Sequence, residues 1–193
     1  MNDERLVQEF KNGNIDAFEE LLNRYQPKVL NTCFRYLNDI EEARDATQDI
    51  FIKVYHALPR FKPRAKVSTW LYRIAVNHAL NVQRSKKKGR FLQKVNSLSR
   101  EDMKQIQQFP TEVEDNGDAA VQTQERLQLV QSALQKLGDA QRTAVILHRF
   151  EGLSYKEIAQ VMGTSVSAVE SLLFRAKQNL HKLLKPYFGQ HEY

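Results

Sequence analysis

Apolar residues recur every three or four positions along the first eighty residues, the spacing of helices that each bury one face. Residues 3–12 predict a short helix. Asn14 then opens a longer periodic run through Ile15, Phe18, Leu21, Leu22 and Tyr25. Pro27 is expected to interrupt that run and to sit in the first turn of a helix through Val29, Leu30, Cys33, Phe34 and Leu37. Asn38 is expected to cap a third helix, with Glu41 as its reciprocal partner. The third helix turns Ala43, Ala46, Ile50, Phe51, Val54 and Leu58 inward, and Glu42, Asp45, Gln48, Asp49 and Lys53 outward. Residues 59–66 hold two prolines and four basic residues and read as a loop. A fourth helix, capped by Ser68 or Thr69, is expected from about Trp70 to Ser85 with Leu71, Ile74, Ala75 and Ala79 inside.

Periodicity then fails. Residues 90–120 end in the acidic run Thr111–Asp118 and read as a flexible linker. It resumes near Val121 with Leu127, Val130, Leu134 and Leu137, and Gly138 stops that helix. Asp139 is expected to cap the next one, with Ala144, Val145, Leu147 and Phe150 inside and Gly152 at its end. The fold class expected is all-α: two small helical domains, residues 1–89 and 121–193, joined by the linker 90–120.

A capping box follows. Ser154 and Glu157 bracket the start of a two-turn helix with Ile158, Ala159 and Met162 inside, and Gly163 ends it. Ser165 is placed to cap a second helix at once, with Val166, Val169, Leu173, Ala176 and Leu180 inward. Two short helices joined through such a turn form a helix-turn-helix, whose second helix enters the DNA major groove. Its outward residues are Ser167, Ala168, Glu170, Ser171, Phe174, Arg175 and Gln178. The candidate duplex contacts within residues 154–177 are Ser165, Ser167, Glu170, Ser171, Phe174, Arg175 and Lys177. An exposed Phe can touch a thymine methyl while Arg reaches guanine or phosphate. The alternative is a plain helical hairpin with Phe174 over the core.

Charge sharpens the other half of the molecule. The overall balance is +6, yet residues 61–100 hold eleven basic residues and no Asp or Glu. Such a segment fits a polyanion. Aromatic and amide side chains lie inside it, the combination that holds unstacked bases and their backbone. The candidate single-strand contacts are Phe61, Lys62, Arg64, Lys66, Trp70, Arg73, Asn77, His78, Asn81 and Arg84. The alternative puts Trp70 and Tyr72 in the core, and Trp70 fits either place equally well, whereas Phe61, in a proline-bounded loop, is expected to be the more exposed ring. The outer face of the third helix is acidic and would repel DNA. It suits either a basic protein partner or solvent.

Other classes lack support. Cys33, the single cysteine, sits among apolar neighbours and is expected to be buried. No metal-ligand cluster, phosphate-binding glycine loop or nucleophile–base pair is present, so no enzyme, cofactor, metal or small-molecule substrate is expected. His78, His148 and His181 look isolated. The polar first ten residues and the lack of a long apolar stretch predict a cytoplasmic protein.

Three segments, Asp45-Ala-Thr-Gln-Asp-Ile-Phe-Ile-Lys-Val-Tyr55, Ser68-Thr-Trp-Leu-Tyr-Arg-Ile-Ala-Val-Asn77 and Glu151-Gly-Leu-Ser-Tyr-Lys-Glu-Ile-Ala159, resemble the extracytoplasmic-function (ECF) sigma factors of bacterial RNA polymerase. The resemblance covers about residues 5–88 as sigma region 2 and 120–186 as region 4. It implies that Asp45, Gln48, Asp49 and Ile52 dock on the clamp coiled coil of core polymerase, with the flap as a further contact of the factor. The loop at Phe61 and the helix through Asn77 would capture the opened non-template strand of the −10 element. The helix-turn-helix would read the −35 duplex, and the linker would thread toward the polymerase cleft. An anti-sigma factor, membrane-anchored in many relatives, would cover both domains and hold the protein at the inner membrane. Glu170, Leu172 and the loop 62–66 depart from stress-response relatives, so neither promoter element carries over from them. The competing class is a helix-turn-helix regulator that acts without polymerase.

Overall fold

A computed structural model describes the backbone of residues 1–63, 65–96 and 117–188, and side chains within 1–63, 65–86 and 126–187. Among the described residues every regular element is a helix. The chain divides into two compact units, Met1–Gln108 and Phe109–Tyr193.

Unit 1 contains α1 (Asp3–Lys11), α2 (Asp16–Leu37), α3 (Ile40–Ala57), a 3-10 turn (Leu58–Arg60) and α4 (Val67–Asn96). Asn2 caps α1 by accepting from the Arg5 amide, and Asp3 and Glu4 complement the positive end of the helix. Asp3 also staples α1 to α2. Arg24 Nη1 donates to its carboxylate at 2.5 Å, and the Tyr25 hydroxyl donates to the other oxygen. Burial first, and that carboxylate next, push the Tyr25 phenol up. The core of the unit is built from Val29 and Cys33 of α2, Ala43 and Ile50 of α3, and Leu71, Ala75 and Ala79 of α4. Small residues on α3 and α4 let the helices approach closely. Burial pushes the Cys33 thiol up to about 12, against the lowering effect of a hydrogen bond with Thr47. Gln83 Nε2, also buried, donates to the Tyr36 carbonyl at 2.9 Å, and Lys86 pairs with Glu42.

Three boundaries differ from expectation. Pro27 does not interrupt α2, which runs unbroken from Asp16 to Leu37. Its ring lies on the exposed side, and burial of Tyr25, Val29 and Cys33 around it outweighs the one missing backbone donor. Asn38 does not cap α3. It closes α2 in the left-handed conformation (φ 55°), which Asn tolerates, while Asp39 caps α3 and accepts from the Glu42 amide at 3.0 Å. Finally, α4 starts at Val67, so Ser68 and Thr69 lie inside its first turn, where Val67 and Thr69 are buried. It also continues past residue 89 to Asn96. Lys, Arg, Gln and Leu are good helix formers there, and cations suit a helix C-terminus.

Unit 2 contains α5 (Gly117–Gln135), α6 (Asp139–Val145), a π turn (Ile146–Phe150), α7 (Tyr155–Met162) and α8 (Val166–Phe188). α5 thus begins four residues before Val121, while residues 97–116 of the expected linker lie outside the described residues. Gly138, not Asp139, occupies the cap of α6, because the Asp139 carboxylate is used by Arg142 at 3.0 Å. Arg142 is the largest fully buried side chain among the described residues and also donates to Gln135 Oε1 at 2.7 Å, fastening α5 to α6. Leu134, Leu137, Val145 and Ala176 form the core, with Val130, Leu173 and Leu180 against it. Phe150, expected inside, is exposed: Leu147 is still buried, but the wider π turn carries the residues after it off the inner stripe. Val161 takes the buried place expected for Met162, and Val166, at the first position of α8, is exposed rather than inward.

Candidate nucleic-acid interface

The two helices at the end of unit 2 are fixed by local chemistry. The capping box at α7 is complete: the Glu157 amide donates to Ser154 Oγ, and the Ser154 amide donates to Glu157 Oε2 at 2.9 Å. Gly163 ends α7 at φ 65°, a conformation that penalises any Cβ. Ser165 then caps α8 by accepting from the Ala168 amide at 3.2 Å, and its hydroxyl lies 3.1 Å from that of Ser167. Buried Ile158, Val169 and Ala176 lock α7 and α8 to the core. The outer face of α8 presents Ser167, Glu170, Ser171, Arg175 and Lys177, all exposed, around Phe174, which is 64% exposed. The hairpin alternative, with Phe174 over the core, fails on that exposure.

Unit 1 is built differently. Phe61 was expected to be exposed, but it is only 7% exposed. The 3-10 turn folds the loop back so that the Phe61 amide donates to the Leu58 carbonyl, and the ring packs on Trp70 with centroids 5.1 Å apart. Lys11 of α1 holds the same residue from outside, donating through Nζ to the Phe61 carbonyl at 2.6 Å. Tyr72 is buried in the core and Trp70 is half-buried. Lys62, Lys66, Arg73, Asn77, Asn81 and Arg84 are exposed, and Arg64 lies outside the described residues. His78 is not isolated. It is half-buried between α4 and α3, with Nδ1 in hydrogen-bond contact with Lys53 Nζ and Nε2 3.5 Å from Asp49 Oδ2. Burial, then the Lys53 charge, lower its pKa, and Asp49 opposes them. With Nδ1 accepting from Lys53, the ring is neutral and carries its proton on Nε2, toward Asp49.

On α3, Asp45, Gln48, Asp49 and Ile52 form one exposed stripe, in which Ile52 is 56% exposed. The stripe continues into Tyr55, whose ring meets Phe10 at 5.3 Å and Phe18 at 5.0 Å. This aromatic group was not singled out as a site. Phe10 and Phe18 carry the signal as apolar positions of two different predicted helices that nothing local joins.

A family model of sigma-70 region 2 matches residues 21–89, and one of sigma-70 region 4 matches residues 127–180. Over 95% of its length the chain is 36% identical to the RNA polymerase sigma-H factor of Pseudomonas aeruginosa, covering 94% of that protein. This chain belongs to the sigma-70 family. The ECF sigma-E factor of Escherichia coli is 32% identical over 96% of each chain, which places the protein among the ECF sigma factors. Among solved structures, that of the sigma factor RpoE with the anti-sigma factor NepR from Bartonella quintana is similar at 25% identity and a TM-score of 0.66, covering 87% of this chain and 96% of that one. ECF sigma factors give RNA polymerase its promoter specificity. No helix among the described residues is long and apolar enough to cross a membrane.

Proposed function

We propose that the two units divide promoter recognition by the state of the DNA. Residues 121–193 lay α8 in the major groove of the −35 duplex, with contacts drawn from Ser165, Ser167, Glu170, Ser171, Phe174, Arg175 and Lys177. Ser165 contributes through its cap, which aims the first turn of the helix at the bases. Residues 1–89 dock on core polymerase through Asp45, Gln48, Asp49 and Ile52 and hold the opened −10 strand. Lys62, Arg64, Lys66, Arg73 and Arg84 face its phosphates, and Asn77, Asn81 and Trp70 face its bases. Phe61 joins the base contacts once its ring leaves Trp70, and His78 braces α3 against α4. Residues 90–120 connect the two activities. The factor performs no bond chemistry of its own and works in the cytoplasm. An anti-sigma factor controls it, in keeping with the partner of the Bartonella relative, and holds it at the membrane where that partner is anchored there.

The observation that carries this reading is the exposed face of α8 on a fully capped helix-turn-helix. Run-off transcription with purified core polymerase tests it. Transcripts from a defined promoter subset, lost with Arg175→Ala while core binding persists, are expected. Failure both to bind core and to start transcripts would overturn it.

A further inference from the structure

An acid stands on the reading face of α8. At 100° per residue, Ser167, Ser171, Phe174 and Gln178 lie along the middle of the exposed face, with Glu170 on one flank and Arg175 on the other. Glu170 is exposed, and no cation neutralises it along the helix: the positions three and four residues away hold Val166, Ser167, Leu173 and Phe174. A free carboxylate brought into the groove meets phosphates and the acceptor-rich edges of guanine and thymine, all of which repel it. Two major-groove donors exist. The adenine amine has an acceptor on each side, its own N7 and the thymine O4, whereas the cytosine amine has one on a single side, the guanine O6, and a C5–H on the other. Ser167 and Ser171 are short enough to let α8 approach until the longer Glu170 side chain reaches a base edge.

Resting on the assignment of α8 to the −35 duplex, we propose that Glu170 is a specificity-determining residue that selects a C·G pair by accepting a hydrogen bond from the cytosine N4 amine. Phe174 follows Glu170 by one turn on the same face, about 6 Å along the helix. The base it touches therefore lies within about two base-pair steps of that cytosine, and its ring favours a thymine methyl there. Glu170 trades general affinity for choice, since it weakens binding to every sequence that lacks the cytosine.

The test is selection from a promoter library randomised across the upstream duplex element, using holoenzyme formed with the full chain. The unsubstituted protein should prefer C·G at one position by roughly five- to tenfold, the range of one good base contact. Glu170→Ala should flatten that position alone. Glu170→Gln, which both donates and accepts, should move the preference to A·T there. Glu170→Ala that tightens binding to all sequences equally, with the preference pattern unchanged, would show a merely repulsive carboxylate and overturn the proposal alone. If the unsubstituted holoenzyme shows no preference anywhere upstream, the −35 assignment itself falls with it.

Discussion

The two units treat one aromatic ring each in opposite ways. Unit 2 holds Phe174 out in solvent before any DNA arrives, whereas unit 1 packs Phe61 onto Trp70 and keeps Tyr72 in its core. On the proposed division of promoter recognition, the difference follows from the form of DNA each unit meets. A duplex presents its base edges ready-made, so a rigid, pre-exposed face suffices. An unstacked base has to be won from the duplex, and a covered ring makes that step conditional. Uncovering a Phe costs about 1.5–3 kcal/mol, and a stacked base returns about 1–3 kcal/mol. The two nearly cancel, so capture by Phe61 depends on the surrounding contacts to the strand.

The contrast can be broken in unit 2 first. Arg142→Ala removes the buried clasp between α5 and α6 and should destabilise that unit by about 3 kcal/mol. Trp70, the single tryptophan, lies in unit 1. The helical transition followed by circular dichroism should therefore weaken while the Trp70 fluorescence transition stays in place; a matching loss in both would mean the units do not fold independently. Next, Phe174→Ala should lower −35-dependent complex formation by about tenfold, the loss of roughly 1.4 kcal/mol, without moving either unfolding transition. Phe61→Leu keeps an apolar side chain on Trp70 but removes the stacking face. Promoter opening should slow by roughly fivefold, about 1 kcal/mol of stacking, while the Trp70 transition shifts by less than about 1.5 kcal/mol. Equal loss in closed-complex formation would count against a strand-capture role.

The smallest effect concerns pH. The folded-state pKa of His78 lies below its ordinary value, so the folded protein binds fewer protons than the unfolded chain in that window. The contribution of the neutral ring to unit 1 is therefore present above about pH 6.5 and is lost as pH falls through the folded value. Protonation also sets the ring against Lys53. Denaturation followed by Trp70 fluorescence at pH 7.5 and 5.5 should show a larger decline for the unsubstituted protein than for His78→Asn. An equal decline would remove His78 from the α3–α4 brace.

Local signals explain what could be read from the residues alone. Box, Gly163 and Ser165 act within a few residues of themselves, so the helix-turn-helix and its exposed Phe174 were legible. Helical stripes were legible for the same reason. Boundaries failed where two local signals competed for one residue. Pro27 argued for a break while the apolar stripe argued for continuity, and Asn38 could have ended one helix or begun the next. Phe61 failed because its burial depends on Trp70 and on Lys11, fifty residues earlier in the chain. His78 looked isolated because Lys53 and Asp49 reach it from a different helix.

Cys33 sets a limit on what signals this factor can sense. Its thiol is fully buried and burial pushes it up to about 12, so at neutral pH it is held as the thiol and not as the thiolate that peroxides and alkylating reagents attack. The folded unit thus keeps this thiol silent toward oxidants and alkylating reagents. The same silence makes alkylation of Cys33 a clock for the opening of unit 1.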